Sequence, residues 1–349
     1  MELYHNENIS DKLQIKDVKG KQIPAIKVFS NMIYKLKERM EMDIKNEYTG
    51  SSFSPSSIQW VLTIPAKWTD RAETFIRKCA EKAGIRSDQL MIIVESESAS
   101  VYIHHLLICN KLDLPLKELP TEYLVIDLGG GTNDITAHKI SKRGKLRELC
   151  KPSGNVHGGT KVDKYLFSCF ERIVGDEVVH ALKDKGSYLE LLEQFESVKN
   201  FITSSTAKKV ACKIPLNLLN ELCEKYNKKS FNVLLEASKY SQNMSLANDR
   251  LRIDRPFIER YISEVASGIM KDIKYVLFDK AQSRNISTFF VVGGFSNSKL
   301  VRQKLSDEFP NVAIIYPPDN VELAVVRGAV MYGKNPNYIK PSSNKAHLR

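Results

Sequence analysis

Asp127, Gly129, Gly130, Gly131, Thr132 and Asp134 crowd two acids, three glycines and a hydroxyl into one short stretch. Glycine lets a backbone come close to a ligand, and successive glycine N–H groups can converge on an anion. Hard carboxylates repel a bare phosphate unless a cation such as Mg²⁺ lies between them, so the combination points to a metal-bound phosphate. The same residue types also suit a tight hairpin in which Asp127 and Asp134 serve only turn hydrogen bonds.

Such a group works only if rigid elements hold it. Glu122-Tyr123-Leu124-Val125-Ile126 reads as a buried strand with Asp127 at its tip, and the chain returns from Thr132 as a second strand. Other strands end in a similar way. Leu90 to Val94 runs into Glu95, ahead of a helix expected from about Glu97 to Cys109. The first turn of that helix carries Ser98, Ala99 and Ser100, small enough for another backbone to approach closely. Thr288 to Val292 runs into Gly293-Gly294 and a helix from about Ser296. A strand from Ile58 to Ile64 closes at Pro65, and Thr69 or Asp70 caps the next helix, which ends at Gly84.

Two more groups attract attention. Gly158-Gly159 leads into a helix bearing Val162, Leu166 and Phe170, where a glycine pair suits an anion site or a plain cap equally. Glu196, Lys199 and Thr203 share one helical face, which spacing alone reads as a salt-bridged solvent face. Residues 175–245 read as mostly helical apart from a strand-like piece at 208–214, and a long helix follows from about Arg255 to Lys280.

With 349 residues, 42% of them apolar and 27% charged, the composition is that of a globular protein with room for two domains. No apolar run reaches the length of a membrane span and the start is no signal peptide, so the expectation is a cytoplasmic or nuclear protein without membrane contact. The six cysteines lack metal-ligand spacing and read as reduced thiols. The net charge of +11 is spread over helices that also carry acids, and part of it lies in the tail, so no nucleic-acid partner is expected. Neither the P-loop nor the dinucleotide fingerprint occurs.

Asp127-Leu128-Gly129-Gly130-Gly131-Thr132-Asn133-Asp134 resembles the second phosphate motif of the heat-shock 70 kDa chaperones, within the actin-like ATPase superfamily. Phe290-Val291-Val292-Gly293-Gly294-Phe295 resembles their adenosine motif, and Glu95 to Ser100 and Ala324 to Ala329 their two connecting helices. The segment Trp60 to Thr69 and Phe295 are similar to the divergent 12A/12B branch of that family. The resemblance implies an α/β fold of two lobes around a nucleotide cleft. Residues 1–118 would form a partial first lobe, 119–320 a second lobe with a helical insertion at about 160–282, 321–333 a helix returning to the first lobe, and 334–349 a basic tail without fixed structure.

The resemblance also implies roles. Asp127 and Glu95 would hold Mg²⁺ through its waters, Asp134 would lie near the attacking water, and Thr132 would donate to the γ-phosphate of ATP. Gly129, Gly130 and Gly131 would offer backbone N–H groups, and Gly158 and Gly159 would border the nucleotide. Glu196, Lys199 and Thr203 would face ribose and adenine, and Gly293 and Gly294 would pass under the sugar and α-phosphate. The family's first phosphate hairpin and the lysine-bearing segment after it have no counterpart, which leaves the first lobe incomplete and implies weak or absent hydrolysis of ATP to ADP. Asn297 stands where typical members carry an arginine that stacks on adenine. A non-catalytic scaffold and a small-molecule kinase of the same superfamily are the competing readings.

Overall fold

The computed structural model describes residues 3, 9–17, 20–47, 54–109, 111–112, 120–141, 144–202, 208–280, 286–318 and 320–340. The chain opens with an antiparallel pair, β1 (Gln14–Lys16) and β2 (Gln22–Pro24), followed by the surface helix α1 (Ala25–Glu47). A compact βαβ unit comes next: β3 (Trp60–Ile64), α2 (Asp70–Lys82) and β4 (Leu90–Val94). Its two strands are parallel and in register from Trp60↔Leu90 to Ile64↔Val94. Both carboxyl ends therefore emerge side by side, delivering Pro65 and Glu95 to one edge. Thr69 caps α2 by accepting the Ala72 N–H at 3.3 Å. Phe75, Ile76, Cys79 and Ile64 form the small core beneath, with Phe29 and Ile33 of α1 packed against it.

Helix α3 (Glu95–Ile108) leads to the larger sheet. Its strands are β5 (Glu122–Leu128), β6 (Asn133–Ile140), β7 (Leu146–Glu148), β8 (Ser153–Asn155), β12 (Thr288–Val292), β13 (Ala313–Ile315) and β14 (Ile339–Lys340). The order is β13-β12-β5-β6-β7-β14, with β8 also on β6. Alternation along β5 assigns its two faces. Leu124, Ile126 and Leu128 enter the main core, under α4 (Thr160–Val174), α5 (Asp176–Asp184), α6 (Ser187–Phe201), α7 (Leu216–Asn227), α8 (Phe231–Ala237) and α9 (Arg255–Lys274). Tyr123 and Val125 turn the other way, into a second core with Val101, Ile103 and Leu106 of α3. Asp127 shares that second face, so it looks toward the helix that begins with Glu95.

The strand-like piece expected at 208–214 is β9 (Lys209–Lys213), and it forms a three-stranded sheet with β10 (Met244–Ala247) and β11 (Arg250–Asp254), a pair that had not been expected between the helical region and the helix from Arg255. The β11 alternation is plain once seen: Leu251 and Ile253 are buried between exposed Arg250 and Arg252. After β12 come α10 (Lys299–Glu308), β13 and α11 (Ala324–Lys334). Residues beyond 334 were expected to form a tail, yet Ile339–Lys340 pairs parallel with β7. Residues 341–349 lie outside the described set.

Helices α3 and α11 cross with their backbones in close approach. A Cβ on Gly328 would overlap the Ser98 carbonyl oxygen, and the Ser98 hydroxyl donates to the Val325 carbonyl at 2.7 Å. The small residues at the start of α3 serve the close approach their size suggested. Among the described residues no helix is long and apolar enough to cross a membrane.

Candidate functional site

The tips of β3, β4, β5 and β12 converge. β5 and β12 run parallel with Val292 opposite Asp127, so Gly293 follows beside Leu128 at the carboxyl end of the sheet. That is where ligands enter parallel sheets, because the chain must turn away and leaves a crevice. A cavity of about 420 Å³ lies there, between Pro65, Trp68 and Glu95 of the small unit and Asp127, Gly129 to Gly131, Thr132, Gly293 and Gly294 of the large sheet. Glu322 and Val325 close one side. Of the expected site residues, Glu95, Asp127, the glycine turn, Thr132 and the second glycine pair are brought together.

The turn is built by its own backbone. Gly129 N–H donates to the Thr132 carbonyl at 3.0 Å, so this group is spent on the turn, contrary to expectation. Those of Gly130 and Gly131, residues that also line the cavity, donate to no backbone carbonyl among the described residues. The Gly129 and Gly130 carbonyls accept the N–H groups of Gly159 and Thr160 at 3.2 and 2.8 Å. The start of α4 is thus capped by the turn rather than by an anion, which decides between the two readings of Gly158-Gly159. Both glycines act from behind the turn. A Cβ on Gly158 would overlap the Gly130 carbonyl oxygen, so only glycine allows this packing. Gly293 is under a similar constraint: φ is +84° and a Cβ would strike Asp127 Oδ1.

The acids are crowded. Asp127 and Asp134 are directly opposite in the β5–β6 register, a placement in which like charges repel. Burial, then Asp134, pushes the Asp127 carboxyl up to about 7. Burial, then Asp127 and Asp134, pushes Glu95 up to about 8. Asp134 is also raised by burial, although the Thr132 hydroxyl, the Ala66 N–H and the Lys67 charge act the other way. Its oxygens are both engaged: Thr132 Oγ1 donates to Oδ2 at 2.8 Å and Ala66 N–H to Oδ1 at 2.7 Å. The expected role of Thr132 as a phosphate donor therefore requires its hydroxyl to leave Asp134, whereas each Asp134 oxygen keeps a lone pair for a water.

Among the described residues lining the cavity, no side chain is positively charged. Buried acids facing an open cavity are what a hard divalent cation compensates, so Glu95 and Asp127 fit Mg²⁺. The described residues contain no group of three or more acid, histidine or cysteine side chains placed to hold a metal ion.

Glu196 and Lys199 do not line the cavity. Lys199 is buried and its Nζ donates to Asp163 Oδ2 of α4 at 2.6 Å, with Glu196 Oε1 at 3.7 Å. The Glu196 side chain remains 62% exposed. Lys199 does lie close to Gly159 and Phe295, just behind the wall formed by Gly293 and Gly294. Thr203 lies outside the described residues. Asn297 Nδ2 donates to Glu322 Oε1 at 3.0 Å, tying the segment after β12 to the acid that closes the cavity.

The sequence reading missed Asp272 of α9. It accepts from Asn133 Nδ2 at 3.1 Å and from Asn155 Nδ2 at 2.9 Å, and pairs with His157 Nδ1 at 2.7 Å. This network pins the start of β6 and the end of β8 under the acids. An acid on an amphipathic helix gives no such signal in sequence.

A βαβ unit and a parallel strand pair meeting tip to tip over a cavity of acids and glycines define the fold as that of the actin-like ATPases. The sequence model of the family described as "Hsp70 protein" matches residues 2–334, and the chain belongs to that family. Heat shock 70 kDa protein 12A of Homo sapiens is 24% identical over 392 residues, covering 97% of this chain and 58% of that protein. Heat shock 70 kDa protein 12B of Homo sapiens is 25% identical over 394 residues, covering 97% and 57%. The chaperone protein HscA homolog of Rickettsia bellii is 24% identical over 328 residues, covering 93% and 43%. The chain spans little more than half the length of the first two relatives.

Proposed function

We propose that the cavity binds ATP and ADP together with Mg²⁺, and that this chain hydrolyses ATP weakly or not at all. One observation carries the reading: Glu95 and Asp127, both pushed toward the neutral form by burial, line the same cavity as Gly130 and Gly131, whose N–H groups donate to no acceptor among the described residues. An acid pair held this way invites a cation, and the N–H groups invite an anion. A metal-bound phosphate supplies both.

Bound there, Mg²⁺ would screen the phosphate charges and act as a Lewis acid. The chain's own residues would orient the nucleotide between the Gly293-Gly294 wall and the Gly130-Gly131 turn. Slow hydrolysis follows from the lining. Charge builds on the phosphoryl oxygens in the transition state, and among the described residues lining the cavity there is no lysine or arginine to meet it.

Isothermal titration with ATP and ADP tests this. Binding is expected only with Mg²⁺ present, and Asp127→Asn should weaken it by roughly tenfold or more, the value of a charged contact. Phosphate release should stay near the uncatalysed background. Absence of binding heat for both nucleotides, or binding indifferent to EDTA, would overturn the reading.

A further inference from the structure

The βαβ unit carries a basic side chain, Lys67, between two residues that line the cavity. Lys67 sits in the turn after β3, between Ala66, whose N–H holds Asp134, and Trp68, which lines the cavity with Pro65. Each neighbouring Cα is only about 3.8 Å away along the chain. The Lys67 side chain is exposed and reaches across to the large sheet, where Nζ donates to Asn155 Oδ1 at 3.2 Å. Asn155 is opposite Asn133 on β6, and its amide is oriented by its own bond to Asp272.

The other lysine near the cleft cannot serve in the same way. Lys199 is buried and bound to Asp163 at 2.6 Å, so moving it would strand a buried acid. Lys67 gives up only an exposed, charge-to-neutral contact with an amide oxygen, and that contact is cheap in water. A lysine has a long flexible stem ending in a compact charge with three donors, suited to a swing of this kind. Its field already acts on Asp134.

We propose that Lys67 is a phosphate-binding residue: on nucleotide binding its ammonium leaves Asn155 and meets the terminal phosphate of ATP, making the site prefer ATP to ADP. This rests on the nucleotide reading above. It brings one positive charge from outside the cavity lining to the bound phosphate, and because it meets ground state and transition state alike it adds affinity without speeding hydrolysis. In the ADP complex Lys67 remains on Asn155, bridging the small unit and the large sheet.

Titration calorimetry with Mg-ATP and Mg-ADP on wild type, Lys67→Ala, Lys67→Arg and Asn155→Ala tests the assignment, with thermal melts without nucleotide as the folding control. Lys67→Ala should weaken Mg-ATP roughly tenfold while changing Mg-ADP by less than about threefold. Lys67→Arg should restore most of the difference, and Asn155→Ala, which frees the lysine, should leave Mg-ATP as tight or tighter. Equal effects of Lys67→Ala on both nucleotides, or no effect on either, would overturn the role of Lys67 while leaving the nucleotide site standing. A wild type that binds neither nucleotide overturns the site and the role together.

Discussion

The two ends of the β5–β6 hairpin bury the same kind of cargo and treat it differently. On one face the register pairs Asp127 with Asp134, Val125 with Thr136 and Tyr123 with His138. All of these residues are buried. At the tip, the acids are raised by burial and meet an open cavity, a hydroxyl and a backbone N–H. At the base, burial and then His104 push the His138 imidazole down to about 3. Neither His138 ring nitrogen has a hydrogen-bond partner among the described residues, and the ring rests against Tyr123 at 6.3 Å between centroids. Both ends resist charge, and at the tip Asp127 lines a cavity of about 420 Å³ with room for a compensating ion. On the nucleotide reading proposed above, the tip is the working end and the base is packing.

The linkage signs are opposite and make the contrast measurable. The tip acids have folded pKa values above their ordinary ones, so their contribution is most favourable at low pH and is lost as pH rises to about 7 for Asp127 and about 8 for Glu95. The His138 shift is downward, so its contribution is complete above about 6.5 and is lost as pH falls toward about 3. Mg²⁺ should relieve the first loss and leave the second untouched.

The largest effect is expected at the tip. Without nucleotide or metal, Asp127→Asn should stabilise the protein by roughly 3 kcal/mol at about pH 8, with the gain vanishing near pH 4. Urea unfolding at the two pH values measures it, and a variant less stable than wild type at pH 8 would remove the claim that this acid is a stored cost. At the base, His138→Leu should reduce the stability lost between about pH 8 and pH 5 by about 2 kcal/mol. The same urea series at both pH values reads this, whatever constant offset the new packing adds. The smallest change is Thr132→Ala, which removes the hydroxyl donor to Asp134 and should cost about 1 kcal/mol of stability. If Thr132→Ala proved neutral, the Thr132–Asp134 bond would be expendable, and Thr132 would be free to turn to a phosphate.

The hairpin was legible because its pattern is local: an apolar run, an acid, three glycines and a second strand. Asp127, Gly129 to Gly131 and Thr132 sit where that pattern put them, and Glu95 is the first residue of α3, two residues earlier than expected for the helix start. Cross-chain partners were less visible. Lys199 was expected at the nucleotide, yet its charge is claimed by Asp163, thirty-six positions away in sequence. Nothing in the i, i+3 spacing of Glu196 and Lys199 signals an acid on another helix. The β10–β11 pair was missed for another reason: Arg250 and Arg252 made a two-sided strand look like polar connection. The β1–β2 pair is short and mostly exposed, leaving almost no apolar alternation to detect.

The close crossing of α3 and α11 has a mechanical consequence. Each helix starts at the cavity: α3 with Glu95, α11 just after Glu322. Their backbones touch at Ser98 and Gly328, and two side-chain bonds join them as well, Ser98 to the Val325 carbonyl at 2.7 Å and Arg327 to the Tyr102 hydroxyl at 2.6 Å. Two rods fastened at successive levels resist both spreading and turning. A displacement of Glu95 at the end of one rod is therefore passed to the other rod as a whole.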